Sequence, residues 1–316
     1  MLCGQSAGRT PNHEPGASIP GPDLCAKATY ERAMGVSRRE SGVGASIRAY
    51  GSQIHPVFML PPVATSLFGA LLAPSMVLLD STVHALAIFF AVYTAHVKDG
   101  YVDFHVRGED DDHPLTVRGC LLGLAGATGG YVLCLLYLGV AVDVGAAAIT
   151  LPAWLLGFLH APQLDTNPVT ATAGYPVGIG LAVAGGNYVQ VGTVEPVALA
   201  FAGVFVVLLC GVKVIDDATD YEYDRSIDKH TVAVVLGRDR ARRFAYGLMA
   251  VALGLVVFLT ALGPFPPSSI GAVAAFALVA VLTRDADPEL ATMILIRGSY
   301  VFLALLVVAT WYRPLS

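Results

Sequence analysis

Charge is scarce in this chain. Asp, Glu, Lys and Arg make up 14% of its 316 residues, whereas a soluble domain carries about 25%. Hydrophobic residues make up 55% and the mean hydropathy is +0.64, which excludes a soluble enzyme and marks a polytopic membrane protein. Basic runs of the kind that grip nucleic acid are missing too, so no nucleic-acid partner is expected. Cysteine is sparse and unpatterned: Cys3, Cys25, Cys120, Cys134 and Cys210 show no CxxC or other ligand spacing. They read as small apolar residues rather than disulfide partners or metal ligands. No haem, flavin or nucleotide motif is visible. Residues 1–50 lack an apolar run, which excludes a signal peptide there. Rich in Gly, Pro, Ser and Arg, they read as a disordered cytoplasmic tail, with Met34 a second candidate start beside Met1.

Residues 51–316 form the transmembrane domain. A span needs about 20 apolar residues, and nine candidates follow: 56–74, 77–97, 117–138, 144–161, 174–191, 195–215, 241–262, 267–283 and 290–311. The fifth is weak, glycine-rich and interrupted by Asn187 and Gln190. The first carries Pro61 and Pro62, which favour a kink. The expected fold class is therefore all-α, about nine transmembrane helices. No Lys or Arg lies between Arg118 and Lys213. With the N-terminus inside, 17 of the 19 basic residues fall on the inner side. By the positive-inside rule this predicts an integral protein of the cell membrane with a cytoplasmic N-terminus.

The acids are concentrated. Asp99, Asp103, Glu109, Asp110, Asp111 and Asp112 follow the second span, and Asp216, Asp217, Asp220, Glu222, Asp224 and Asp228 follow the sixth. Together they are 12 of the 24 Asp and Glu, and both groups fall on the cytoplasmic side. Asp216, Asp220 and Asp224 recur every fourth residue. On one α-helix that spacing drifts by only about 40° per step, so the three carboxylates are expected on one face. Like charges at i, i+4 repel, and a cation set against them relieves the repulsion. Hard carboxylate oxygens suit Mg²⁺, commonly held by one or two carboxylates plus substrate phosphates. Two such clusters at the mouth of an apolar bundle fit a substrate with a diphosphate head and a hydrocarbon tail. Lys98, Arg107, Lys213, Arg225 and Lys229 are interleaved with the acids and are candidate diphosphate ligands. Membrane lipid surrounds the bundle.

The run from Asp216 to Asp224, followed by Arg225, Lys229, Thr231 and Val234-Val-Leu-Gly237, resembles the second signature of the UbiA superfamily of intramembrane prenyltransferases. The first signature of that family is NDxxDxxxD. Here Asp99 and Asp103 stand one residue too far apart for it, Lys98 stands where the family has Asn, and His113-Pro114-Leu115 fits the family's ending. In an alternative register Asp99 takes the Asn position and Asp110 serves as the third acid. Gly185-Gly-Asn-Tyr-Val-Gln-Val-Gly192 and Asp103-Phe104 are similar to the branch that prenylates dihydroxynaphthoate. The resemblance covers residues 52–316. It implies helices around a central cavity, Mg²⁺ as cofactor, and a prenyl diphosphate and a lipophilic acceptor as substrates. On that reading Asp99, Asp103, Asp216, Asp220 and Asp224 are the catalytic and metal-binding residues, and Asn187 and Tyr101 are candidates for the acceptor. A glycerol phosphate lipid or carotenoid is an alternative acceptor, and a cation transporter or metal-binding membrane protein is the alternative of another class. The connection from His160 to Gly174 lacks the basic residues that many members carry. Arg297 is costly inside a span and marks a site, an interfacial residue, or a partner of Asp285 or Asp287.

Overall fold

The computed structural model describes residues 35–227 and 229–312. The tail expected at 1–50 therefore lies largely outside the described residues, and Asp228 is outside them as well. Twelve helices make up the described chain, with no strand among them. They are α1 (Val43–Gly51), α2 (Pro56–Leu71), α3 (Leu78–Tyr101), α4 (Val117–Tyr137), α5 (Val144–Leu159), α6 (Pro168–Val191), α7 (Pro196–Asp217), α8 (Tyr221–Ser226), α9 (Val232–Leu236), α10 (Arg238–Leu262), α11 (Ser269–Thr283) and α12 (Pro288–Tyr312). Wider, π-type turns extend α3 over Val102–Arg107, α4 over Leu138–Val142 and α5 over His160–Leu164.

Each expected span has a helix, but the count of nine crossings is not reached. Among the described residues seven helices are long and apolar enough to cross a membrane, and an eighth crossing counts α1 and α2 as one span broken by a 70° bend. The reason is length. The 16 residues of α2 reach about 24 Å and the 15 of α11 about 22 Å, against a hydrocarbon core of about 30 Å. The chain is an integral membrane protein.

The two prolines of α2 are accommodated by partners on neighbouring helices. Pro61 and Pro62 sit inside the helix, so the carbonyls four residues earlier, of Val57 and Phe58, lose their helical donors. Tyr300 of α12 donates its hydroxyl to the Val57 carbonyl, and Tyr175 of α6 donates to the Phe58 carbonyl at 3.0 Å. In lipid such carbonyls need a partner from a neighbouring helix. Two tyrosines thereby tie α2 to α6 and α12.

The fifth expected span is weak in hydropathy for a reason that the packing reveals. Over half of the α6 window is buried inside the protein, a share matched only by α7 among the seven crossing helices. Its glycines admit neighbouring backbone. A Cβ on Gly186 would collide with the Ser66 carbonyl of α2, and one on Gly69 of α2 with the Val183 carbonyl of α6. Small residues that let backbones approach drive helix association where no hydrophobic effect operates. On the other side of α6, Phe201 of α7 meets Phe68 edge-on at 5.0 Å and stacks on Phe265 at 3.8 Å. This aromatic core fixes α7, the helix that delivers the second acidic group.

Helices α2, α3, α5, α6, α7 and α12 enclose a cavity of about 320 Å³. Its walls are mostly apolar, including Ile88, Leu156, Ile179, Phe205 and Leu303, and its polar lining includes Asp99, His160, Lys213 and Asp216.

Candidate active site

The second acidic run does not form one helix. α7 ends at Asp217, Ala218–Asp220 turn, and α8 starts at Tyr221. The expectation of three carboxylates along one helical face is thereby corrected. The four-residue repeat of like charge weakens a helix, and the chain relieves it by breaking between Asp217 and Tyr221. Asp216 stays on α7 and lines the cavity. Asp220 is exposed at the turn. Asp224 is buried on α8, where it accepts from Thr231 and lies 3.8 Å from Lys229 Nζ. Burial pushes the Asp224 carboxyl above its ordinary value, against the pull of the Lys229 charge. Arg225 is exposed.

Lys213, one turn before Asp216, bonds Asp216 at 2.8 Å and Asp217 at 2.7 Å. Asp217 is buried, and its second oxygen, Oδ2, has no hydrogen-bond partner. A buried carboxylate oxygen without a donor is costly.

The first run ends α3 and enters the π-type turn at Val102. Such a turn holds one more residue than an α-helical turn. Asp99 lies on the α-helical part, and Asp103 and Arg107 lie on the turn. Asp99 lines the cavity and lies 3.9 Å from His160 Nε2 of the α5 extension. Asp103 has Asp99, Glu109, Arg107 and Lys229 as its charged neighbours. Tyr223, on α8 of the second run, bonds Glu109 of the first. The two acidic connections therefore face each other across the cavity mouth.

Two candidate cations are committed to protein partners. Lys98 donates to the Phe158 carbonyl and to Gln163 Oε1 at 3.2 Å, and it lies 4.1 Å over the Phe158 ring. It closes the end of α5 against α3 rather than pointing into the cavity. Arg107 grips Asp165 through two bonds, of 2.6 and 3.2 Å, and meets Asp103 at 3.4 Å. The connection from His160 onward, poor in basic residues, thus supplies a buried acid that positions Arg107.

The candidate acceptor residues lie off the cavity. Asn187 is near the opposite end of α6, fully buried, with its amide 3.4 Å from Glu195. Tyr101 packs on the cluster around Val97 and Leu115. Gln190 bonds Val77 and Ser81, an interhelical link. Arg297 is exposed and donates to its own helix at Met293, and no pair with Asp285 or Asp287 forms. Sequence reasoning missed Asp165, Asp217 and His160 as site residues. Asp217 carried a signal, since it doubles Asp216. His160 and Asp165 carried none, because the fold alone brings α5 to α3.

An all-α membrane bundle holding an apolar cavity, with carboxylate-bearing connections at one end, is the architecture of an enzyme that works on a lipophilic substrate inside the membrane. The 1,4-dihydroxy-2-naphthoate octaprenyltransferase of Mycobacterium tuberculosis is 33% identical over 217 residues, 60% of this chain and 68% of that protein. A UbiA homolog from Aeropyrum pernix K1 in its apo structure superposes with a TM-score of 0.68 at 14% identity, over 81% of this chain and 98% of the homolog. A UbiA homolog from Archaeoglobus fulgidus, bound to GPP and Mg²⁺, superposes with a TM-score of 0.63 at 17% identity, over 85% and 99%. No protein-family model matches. The chain belongs to the UbiA superfamily of intramembrane prenyltransferases, on the branch of the naphthoate-prenylating enzymes. It is an enzyme of prenyl transfer, and the transporter alternative falls with that membership.

Proposed function

We propose that the protein transfers a polyprenyl group from a prenyl diphosphate to an aromatic quinone precursor of the dihydroxynaphthoate type, with Mg²⁺ between the two acidic connections. The observation that carries this reading is the cavity itself, apolar along its length and lined at one end by Asp99, His160, Lys213 and Asp216. The relative at 33% identity supports the acceptor class.

Asp99, Asp103, Asp216, Asp220 and Asp224 would hold the metal, with Asp217 Oδ2 a further oxygen without a partner. When bound, Mg²⁺ supplies charge neutralisation for the diphosphate and for the charge that builds on it as the allylic C–O bond breaks. Lys213 and Lys229 add positive charge beside the same carboxylates. Being fixed in place, they stabilise the leaving diphosphate without reorganisation in the reaction step. The C–O electron pair leaves with the diphosphate, and the allylic carbon becomes cationic. The apolar walls exclude the water that would quench this cation. An electron-rich acceptor carbon then captures it. The distribution of Lys and Arg supports a cytoplasmic position for the N-terminal side and both acidic connections.

The test uses membranes carrying the purified protein, Mg²⁺ and radiolabelled geranylgeranyl diphosphate. The acceptors offered are dihydroxynaphthoate, a hydroxybenzoate, a glycerol phosphate lipid and a carotenoid, with Asp220→Ala as control. Label passing to dihydroxynaphthoate, dependent on Mg²⁺ and absent from the control, supports the reading. Label passing to another acceptor overturns the acceptor assignment and keeps the donor site. No transfer and no Mg²⁺-dependent diphosphate binding in folded protein overturns both.

A further inference from the structure

Beyond the acidic mouth, a second group of metal-binding side chains lies on the outer flank of the first connection. His105 belongs to the π-type turn after α3, His113 to the connection, and Cys120 to the first turn of α4. One ligand atom from each lies within 4.8 Å of the others. His113 Nδ1 is 4.0 Å from Cys120 Sγ. The Leu115 carbonyl oxygen points into the same space, 3.0 Å from His105 Nε2 and 3.2 Å from His113 Nδ1. We infer that His105, His113 and Cys120 form a zinc site, with the Leu115 carbonyl at its fourth position.

The donor set selects the ion. Two imidazoles and one thiolate suit borderline-soft Zn²⁺ and not Mg²⁺, which takes oxygen ligands. Zn–N bonds of about 2.0–2.1 Å and a Zn–S bond of about 2.3 Å place neighbouring donors about 3.5 Å apart in a tetrahedron. The His113 Nδ1–Cys120 Sγ separation lies about half an ångström from that geometry, and the widest pair, within 4.8 Å, has to close by up to about 1.3 Å. The nitrogens that would bind the ion, His105 Nε2 and His113 Nδ1, both hydrogen-bond the Leu115 carbonyl, and the ion would replace those contacts. His113 is 4% exposed, and its Nε2, beside Gly100, has no hydrogen-bond partner. Cys120 is fully buried. The site is walled by Phe104, which stacks on His113 and meets His105 edge-on, and Arg38 lies 4.1 Å over the outer face of Phe104. A thiolate formed by metal binding is shielded there from bulk water.

The role that follows is positional. The zinc joins the end of α3, the connection and the start of α4, and so fixes the turn that carries Asp103 and Arg107. This inference is independent of which acceptor the enzyme uses.

The experiment is metal loading of the purified full-length protein in detergent. The protein is stripped with a chelator, loaded with Zn²⁺ and washed with excess Mg²⁺. Wild type is expected to retain roughly one zinc per chain, and Cys120→Ser to lose at least tenfold in affinity. Loading with Co²⁺ gives a second readout. A tetrahedral thiolate site gives intense visible bands and a sulfur-to-cobalt charge-transfer band, whereas cobalt on carboxylates gives weak bands and no charge transfer. Should Cys120→Ser fail to fold, the wild-type cobalt spectrum decides alone, together with protection of Cys120 from alkylation by Zn²⁺. Zinc retention no higher than in Cys120→Ser, a wild-type cobalt spectrum without the charge-transfer band, or alkylation of Cys120 unaffected by zinc overturns the site.

Discussion

The two acidic connections present the same chemistry on differently built scaffolds. The first continues α3 into a π-type turn. It is then held from outside by Arg38 and Arg39 on Asp112 and from inside by Arg107 on Asp165. The second breaks, leaving Asp216 on α7, Asp220 in an exposed turn and Asp224 on the six-residue α8. The first connection is therefore braced by ion pairs among its own and neighbouring loops. The second has its first acid anchored by a buried transmembrane helix and its middle acid free to follow a ligand. The irregular motif sits on a continuous helix and turn, and the regular motif sits on the broken one. Regular spacing in sequence thus reports shared chemistry rather than a shared helix.

The largest effect should separate the two sides at the metal. Asp220→Ala and Asp216→Ala are expected to cut prenyl transfer by about 10³-fold, and Asp103→Ala by about 10²-fold, within the range for loss of one transition-state stabiliser. Initial rates in membranes, at matched protein levels, measure this. Equal losses on both sides would erase the functional asymmetry. Stripping divalent ions should abolish transfer and Mg²⁺ should restore it. In Asp217→Asn the restoring concentration should rise by about tenfold, because one carboxylate charge beside the site is lost. An unchanged Mg²⁺ titration would remove Asp217 from the site.

A medium effect is expected inside the cavity. Gly178 lines it, and a Cβ there meets nothing within 4 Å. Gly178→Phe should fill the cavity without disturbing the packing. Transfer from a long prenyl donor should fall by about tenfold and that from a short donor much less, as donor competition would read. A smaller, structural effect is expected at the brace. Asp165→Ala leaves Arg107 without its closest partner, at a cost of about 3 kcal/mol for a mostly buried pair, visible as a lowered Tm. The smallest effect belongs to Tyr223→Phe. It removes the hydrogen bond to Glu109, and transfer should fall by less than about fivefold, since one such bond at an exposed position contributes about 1 kcal/mol or less. A larger loss would make the link between the connections part of the reaction rather than of the scaffold.

Hydropathy and acid placement in the sequence determined much of this protein. They gave an all-helical membrane bundle, a helix for each apolar run, and acids gathered after the second and sixth of them. These follow from local rules, because the bilayer demands satisfied backbone and apolar length, and both can be read along the chain. Tertiary structure decided the rest. Whether α6 was weak or central depended on which backbone its glycines met at Ser66 and Val183. How the carbonyls freed by the prolines of α2 found partners depended on Tyr175 and Tyr300, more than 100 residues away. Lys98 and Arg107 looked free beside the acids, yet α5 and Asp165 claim them. The three ligands on the flank of the first connection had no recognisable spacing, because a π-type turn and a loop return set their distances. Charge, length and polarity are properties of the chain, whereas the partner of each charge is a property of its folding.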